Sequence, residues 1–290
     1  MDPRQFLSLA AVYVIWGSTY LAMAIAIAEI PPLLMGSMRF VAAGLVMLLV
    51  ALKRGASWPS AREWMRVVPI GALLFVGGNG FVAIAEQSVS SGGAAVVCAT
   101  MPLWVGVLGM LTGERPTRRE WISLVLGFAG VFVLMGGPSL AGEPVHIVLV
   151  ILAPVCWGLG SILARRLPAT PTHRDPFMLP AMQMLSGGLV LAVLGGALGE
   201  RLPAHASATA WLALGYLWIF GSLVAFTAYS WLLRNARPIV ATSYAYVNPI
   251  LAVLFGAALY GEPLGATTLI ANIMIVGAVV LAVRKQRPAH

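Results

Sequence analysis

FLSLAAVYVIWGSTYLAMAIAIA, from Phe6 to Ala28, carries no charged side chain. After Glu29, Pro31 and Pro32 a second run, LLMGSMRFVAAGLVMLLVAL from Leu33 to Leu52, is broken only by Arg39. About 20 apolar residues in a helix cross the hydrocarbon of a bilayer, so each run is long enough to span a membrane alone. Arg4 and the small-residue pattern Ala26-Ile27-Ala28 give the first run the look of a cleaved leader. Its length exceeds the core of about 7 to 15 residues found in such leaders, and it is expected to remain as a span.

The rest of the chain repeats this pattern. Of its 290 residues, 60% are hydrophobic and 10% charged, with a mean hydropathy of +0.90. Soluble chains carry about a quarter charged residues, so too little polar surface is present to coat a water-soluble fold. Apolar runs bounded by charge, Pro or Gly clusters place further spans near 66–86, 92–111, 119–136, 145–164, 177–198, 209–231, 238–260 and 264–283. The expected fold is all-α and polytopic, with ten transmembrane helices.

The net charge of +8 reads as a topology signal, because no basic cluster is interleaved with stacking aromatics as nucleic-acid binding would need. Numbering the loops alternately, Arg4; Lys53, Arg54, Arg62 and Arg66; Arg115, Arg118 and Arg119; Arg165, Arg166 and Arg174; Arg234 and Arg237; and Arg284, Lys285 and Arg287 share one side. That is 16 of the 18 Lys and Arg, with Arg201 opposite and Arg39 within a span. Basic loops stay in the cytoplasm, so both termini are expected there. Cys98 and Cys156 lie in apolar runs, and the four histidines are scattered without metal-ligand spacing. No metal and no cofactor are expected.

The two halves, 1–143 and 144–290, echo each other in order. Trp16-Gly17-Ser18 answers Trp157-Gly158 with Ser161, and Gly44-Leu45-Val46 answers Gly188-Leu189-Val190. Pro102 answers Pro249, Gly113-Glu114 answers Gly261-Glu262, and Gly130 answers Gly277. Five spans per half is an odd number, so the second half is expected upside down relative to the first. Inverted repeats are characteristic of secondary transporters, which rock two halves about a midplane site. A channel should show a ring of like residues at a constriction, and none is evident. Neither is the nucleophile and base of an intramembrane enzyme, nor a nucleotide-binding Walker loop.

Several stretches carry a family likeness: WGSTY at Trp16–Tyr20, PPL at Pro31–Leu33, MRF at Met38–Phe40, GNG at Gly78–Gly80, ATSYAYVNP at Ala241–Pro249, and the GE turns at Glu114 and Glu262. The chain resembles the EamA-type permeases of the drug/metabolite transporter superfamily over its whole length. Among these it is similar to bacterial inner-membrane exporters of amino acids, aromatic ones included. The resemblance implies ten helices, cytoplasmic termini and a central cavity lined by both halves. It leaves other metabolites, drugs or nucleotide sugars open as cargo.

Candidate cavity residues are the mid-depth aromatics Trp16, Trp104, Trp157, Tyr244 and Tyr246, with Asn79 in its glycine-rich stretch and Asn248 one turn from Tyr244. Indole and phenol groups in hydrocarbon need a partner for their polar atom. Pro102 and Pro249 are expected to kink their helices and disturb the carbonyls of Cys98 and Ala245. Arg39 and Glu86 lie at similar depths and are expected to form a gate or an ion pair. No Asp or Glu occupies the middle third of any span, so proton coupling is not expected. The mixture suits an amino acid with a sizeable apolar side chain as the small-molecule substrate, in a protein whose other partner is the lipid bilayer and which takes no nucleic acid.

Cysteine labelling from either side of the membrane tests the orientation. Both termini and residues 53–65 should react from the cytoplasm only; termini on opposite faces would overturn the ten-span reading.

Overall fold

The computed structural model describes residues 2–89, 91–134, 142–168, 170, 172, 175–251 and 266–283, and among them every regular element is helical. In order they are α1 (Pro3–Ile27), α2 (Pro32–Lys53), α3 (Ala61–Ala85), α4 (Ser91–Cys98), α5 (Met101–Leu111), α6 (Arg118–Leu134) and α7 (Pro144–Arg165). Then follow α8 (Met178–Ala197), α9 (Ala208–Asn235), α10 (Pro238–Thr242), α11 (244–251) and α12 (Ala266–Val283). Among the described residues seven helices are long and apolar enough to cross a membrane: α1, α2, α3, the stretch Gly93–Leu111, α7, α8 and α9. Part of the expected ninth span and the Gly261-Glu262 turn lie outside the described residues.

The starts of these helices are capped by polar side chains placed just outside the apolar runs. Asp2 accepts from the Arg4 amide, and Ser60 and Glu63 form a reciprocal capping box on α3. Thr117 and Glu120 do the same on α6. The start of α2 has no local cap; Glu200, from the connector after α8, accepts from the amides of Leu33 and Leu34 at 3.2 and 2.8 Å. Each contact satisfies amide donors that a helix N-terminus cannot satisfy itself.

Four expected spans are irregular. Both α3 and α9 contain a π segment, Ala72–Gly80 and Leu217–Val224. The stretch before α5 breaks at residues 99–100, so Pro102 stands in the first turn of α5, where its missing donor costs nothing. The break in the ninth expected span lies at Ser243 rather than near Pro249, which sits inside α11. There the Thr242 hydroxyl donates to the Pro238 carbonyl at 2.9 Å and the Ser243 hydroxyl to that of Val240 at 2.7 Å. Such back-bonding competes with the helical ladder and bends it.

α2 lies along α8, α6 along α12, α3 against α7, α1 against α9, and α5 against α10. Lipid is as apolar as leucine, so helix association depends on close approach of small residues. The stripe on α8 shows this: a Cβ on Gly187 would come within 2.6 Å of the Gly71 carbonyl oxygen, and one on Gly71 within 2.5 Å of that of Gln183. Gly196 on the same helix has open space around it.

Substituting Gly71→Ala or Gly187→Ala should destabilise the bundle by about 1–3 kcal/mol, the usual cost of overpacking. Gly196→Ala should be neutral. Unfolding midpoints in detergent check the contrast.

Candidate functional site

The interior of the bundle holds a cavity of about 80 Å³ between α1, α2, α3, α7 and α9, with α4, α5, α8 and α11 also contributing side chains to its wall. Its aromatic wall is built outward from Trp16. The Trp16 ring stands edge-on to Trp157 at 5.5 Å between centroids and to Tyr244 at 4.6 Å, and is tilted against Tyr229 at 5.0 Å. Phe75 and Phe226 complete the cluster at 5.0 Å from each other.

The polar atoms of these rings are satisfied inside the protein. The Trp16 indole N–H donates to the Gly221 carbonyl at 3.0 Å. That oxygen lies in the π segment of α9, where i→i+5 bonding, as from the Ala225 amide to the Phe220 carbonyl, displaces the ordinary ladder. The Trp157 indole donates to the Tyr229 hydroxyl at 3.1 Å, and that hydroxyl bonds Ser161 at 2.7 Å. The π segment of α3 brings Gly78 flat against Trp157: a Cβ there would sit 2.5 Å from the indole ring. The next residue, Asn79, reaches the cavity wall.

Arg39 also faces this space. Only 5% of it is exposed, its Nε donates to the Ser222 hydroxyl at 2.7 Å, and its guanidinium lies 4.7 Å from the Phe40 ring centroid. Across the cavity Tyr20 presents its hydroxyl to Cys98 and Asn248, and the Asn248 side-chain oxygen is buried without a partner among the described residues.

Six of the residues expected from the sequence therefore share one site: Trp16, Arg39, Asn79, Trp157, Tyr244 and Asn248. Others lie elsewhere. Trp104 is 37% exposed on the outside of the bundle. Tyr246 points away from the cavity, donating to the Leu124 carbonyl at 3.2 Å with its ring packed on Gly127. Pro102, in the first turn of α5, and Pro249, inside α11 and away from the break at Ser243, do not line the cavity. Glu86 caps the end of α3 with both carboxylate oxygens buried and without hydrogen-bond partners among the described residues. Arg39 and Glu86 form no ion pair, because the Arg39 guanidinium is turned toward α9 and Ser222. Sequence reasoning passed over Tyr20, Phe75, Pro154, Met184 and Phe226, all on the wall. Pro154, a proline inside an apolar run, and Tyr20, a phenol inside another, carried visible signals.

Comparison with known proteins agrees with this architecture. The model of the EamA-like transporter family matches residues 5–136 and again 145–284. The uncharacterized inner membrane transporter YedA of Escherichia coli K12 is 42% identical over 277 residues, covering 95% of this chain and 89% of that protein. Protein PecM of Dickeya dadantii is 26% identical over 270 residues, covering 92% and 88%. One solved crystal structure, at 22% identity, superimposes with a TM-score of 0.77 over 96% of each chain, a likeness of fold. With the family model spanning almost the entire length and a relative this similar, the chain is a multi-pass membrane protein that belongs to the EamA-like transporter family.

Proposed function

We propose that the chain is a secondary transporter that exports small amphipathic metabolites, amino acids including aromatic ones among them, by alternating access between two inverted halves, 1–143 and 144–290. One observation carries this reading. The cavity is walled by aromatic faces and a few polar groups drawn from both halves, with Trp16, Phe75 and Asn79 opposite Trp157, Phe226, Tyr244 and Asn248. Pockets for small molecules are mostly apolar with a few placed polar groups, and a site shared by two halves is the one that rocking exposes to each side in turn.

Further support comes from how irregularities and contacts recur. The π segments fall in the third and eighth expected spans, and the breaks at residues 99–100 and Ser243 in the fourth and ninth. An exchange of halves maps the third span onto the eighth and the sixth onto the first. It therefore turns the α3–α7 contact into the α9–α1 contact and leaves α2–α8, α6–α12 and α5–α10 each mapped onto itself. These five pairings, among the contacts between the helices, are ones that a twofold exchange of halves preserves, which supports the repeat.

At about 80 Å³ the cavity falls below the several hundred Å³ usual for ligand sites. Substrate entry requires the aromatic cluster to open, as one half moving against the other would do. No carboxylate lines the wall among the described residues, so movement runs down the substrate gradient or by exchange, independent of protons. The expected site is a bacterial inner membrane with both termini in the cytoplasm.

Purified protein in liposomes, offered labelled amino acids, sugars and nucleotides, tests this directly. Aromatic and larger aliphatic amino acids should move best, and an imposed pH gradient should not drive them uphill. Trp157→Ala should slow phenylalanine transport about tenfold, the effect of losing about 1.4 kcal/mol of aromatic contact. Trp104→Ala should leave it near normal, because that ring faces outward. No transport of any amino acid, or equal effects of the two variants, would defeat this account of the cavity.

A further inference from the structure

Arg39 is the one charged side chain among the described residues that line the cavity, and nothing on the wall balances it. Its Nε is engaged by Ser222 at 2.7 Å. Ser222 donates its own proton to the Leu217 carbonyl at 3.2 Å, so its hydroxyl is held as an acceptor and fixes the plane of the guanidinium. The two terminal nitrogens make no hydrogen bond or ion pair with any described residue. One of them lies where Gly221 leaves room for it: a Cβ on Gly221 would come within 2.8 Å of that nitrogen. The carboxylate placed at a similar depth, Glu86, is not paired with it.

A buried cation without a counter-ion is strongly disfavoured, and the guanidinium edge left unused has the fork geometry that matches a carboxylate with two parallel hydrogen bonds. We infer that Arg39 binds the carboxylate of the transported molecule, so that the substrate itself supplies the missing counter-charge and its apolar part lies against Trp16, Phe75 and Trp157. The substrate class is then a monocarboxylate with an apolar body, amino acids included. A single positive charge balances a monoanion and leaves a phosphate dianion in surplus. The inference rests on the proposed transport function, naming the chemical group its site selects. Gly221 and Ser222 act on it as positioning residues, placed by the π segment that also accepts the Trp16 indole.

Binding separates this inference from the transport reading. The full chain in lipid nanodiscs is titrated with 3-phenylpropionate, which has the carboxylate and no ammonium, and with 2-phenylethylamine, which has the reverse, following the fluorescence of the cavity tryptophans. The carboxylate should bind saturably and at least tenfold tighter than the amine, and inorganic phosphate should not displace it at equal concentration. Arg39→Gln should abolish that preference, Arg39→Lys should keep part of it, and Gly221→Ala should lower the ratio of carboxylate to amine affinity. Equal or weaker binding of the carboxylate by the wild type, its displacement by phosphate, or a preference that survives in Arg39→Gln overturns the inference. Should Arg39→Gln fail to fold, the ligand comparison in the wild type and the partial retention in Arg39→Lys still decide. Saturable carboxylate binding with no substrate movement in liposomes would instead sink the transport reading and leave the carboxylate site standing.

Discussion

The hydrogen bond from the Trp16 indole to the Gly221 carbonyl joins the first helix to the π segment of α9, and the interior is arranged around it. In a bilayer a backbone group freed from its helix has no water to turn to and must find a partner within the protein. Here a carbonyl of the π segment receives an indole, and the indole thereby acquires a fixed orientation. Trp157, Tyr229 and Tyr244 then pack against that ring. In the same π segment Ser222 bonds the Arg39 guanidinium and Gly221 leaves room for it. Irregular backbone, aromatic wall and buried charge thus form one connected unit.

The bundle around that unit is held by shape rather than by exclusion of water. Its outward surface carries Leu45, Leu49, Val193 and Leu212, all exposed, as a surface in contact with lipid should. What brings α2, α3 and α8 together is the absence of side chains at Gly44, Gly71, Gly187 and Gly188. The charged residues gather at the ends of the helices. Arg54 with Asp175, Arg165 with Glu114, and Arg237 with Glu120 each link a residue before 143 to one after it. Asp175 and Glu120 are largely buried in their pairs, whereas Arg165 and Glu114 are both partly exposed, and a solvent-exposed pair contributes little to stability.

Placing the site required more than finding its residues. Trp104 and Trp157 look alike in sequence, each in the middle of an apolar run, yet one faces outward and the other walls the cavity. Tyr244 and Tyr246 are two positions apart on one helix, and α11 necessarily points them in different directions. In a soluble helix the polar face would have revealed which side is inside. In a membrane helix both faces are apolar, so that signal is missing and the facing of each aromatic cannot be read.

The sequence by itself determined the helical membrane class, the approximate limits of the apolar runs, the clustering of basic residues between them and the internal echo of Trp16-Gly17 in Trp157-Gly158. These follow from composition and local order, because hydrocarbon thickness sets the length of a run and charge cannot stay within it cheaply. Only the tertiary structure decided that Arg39 turns to Ser222 rather than to Glu86, that Gly78 admits Trp157, and that two helices pass into π geometry beside the cavity. The reason is that these depend on which residues of distant helices meet at one depth, and that meeting is fixed by the close approach of glycines across the whole bundle.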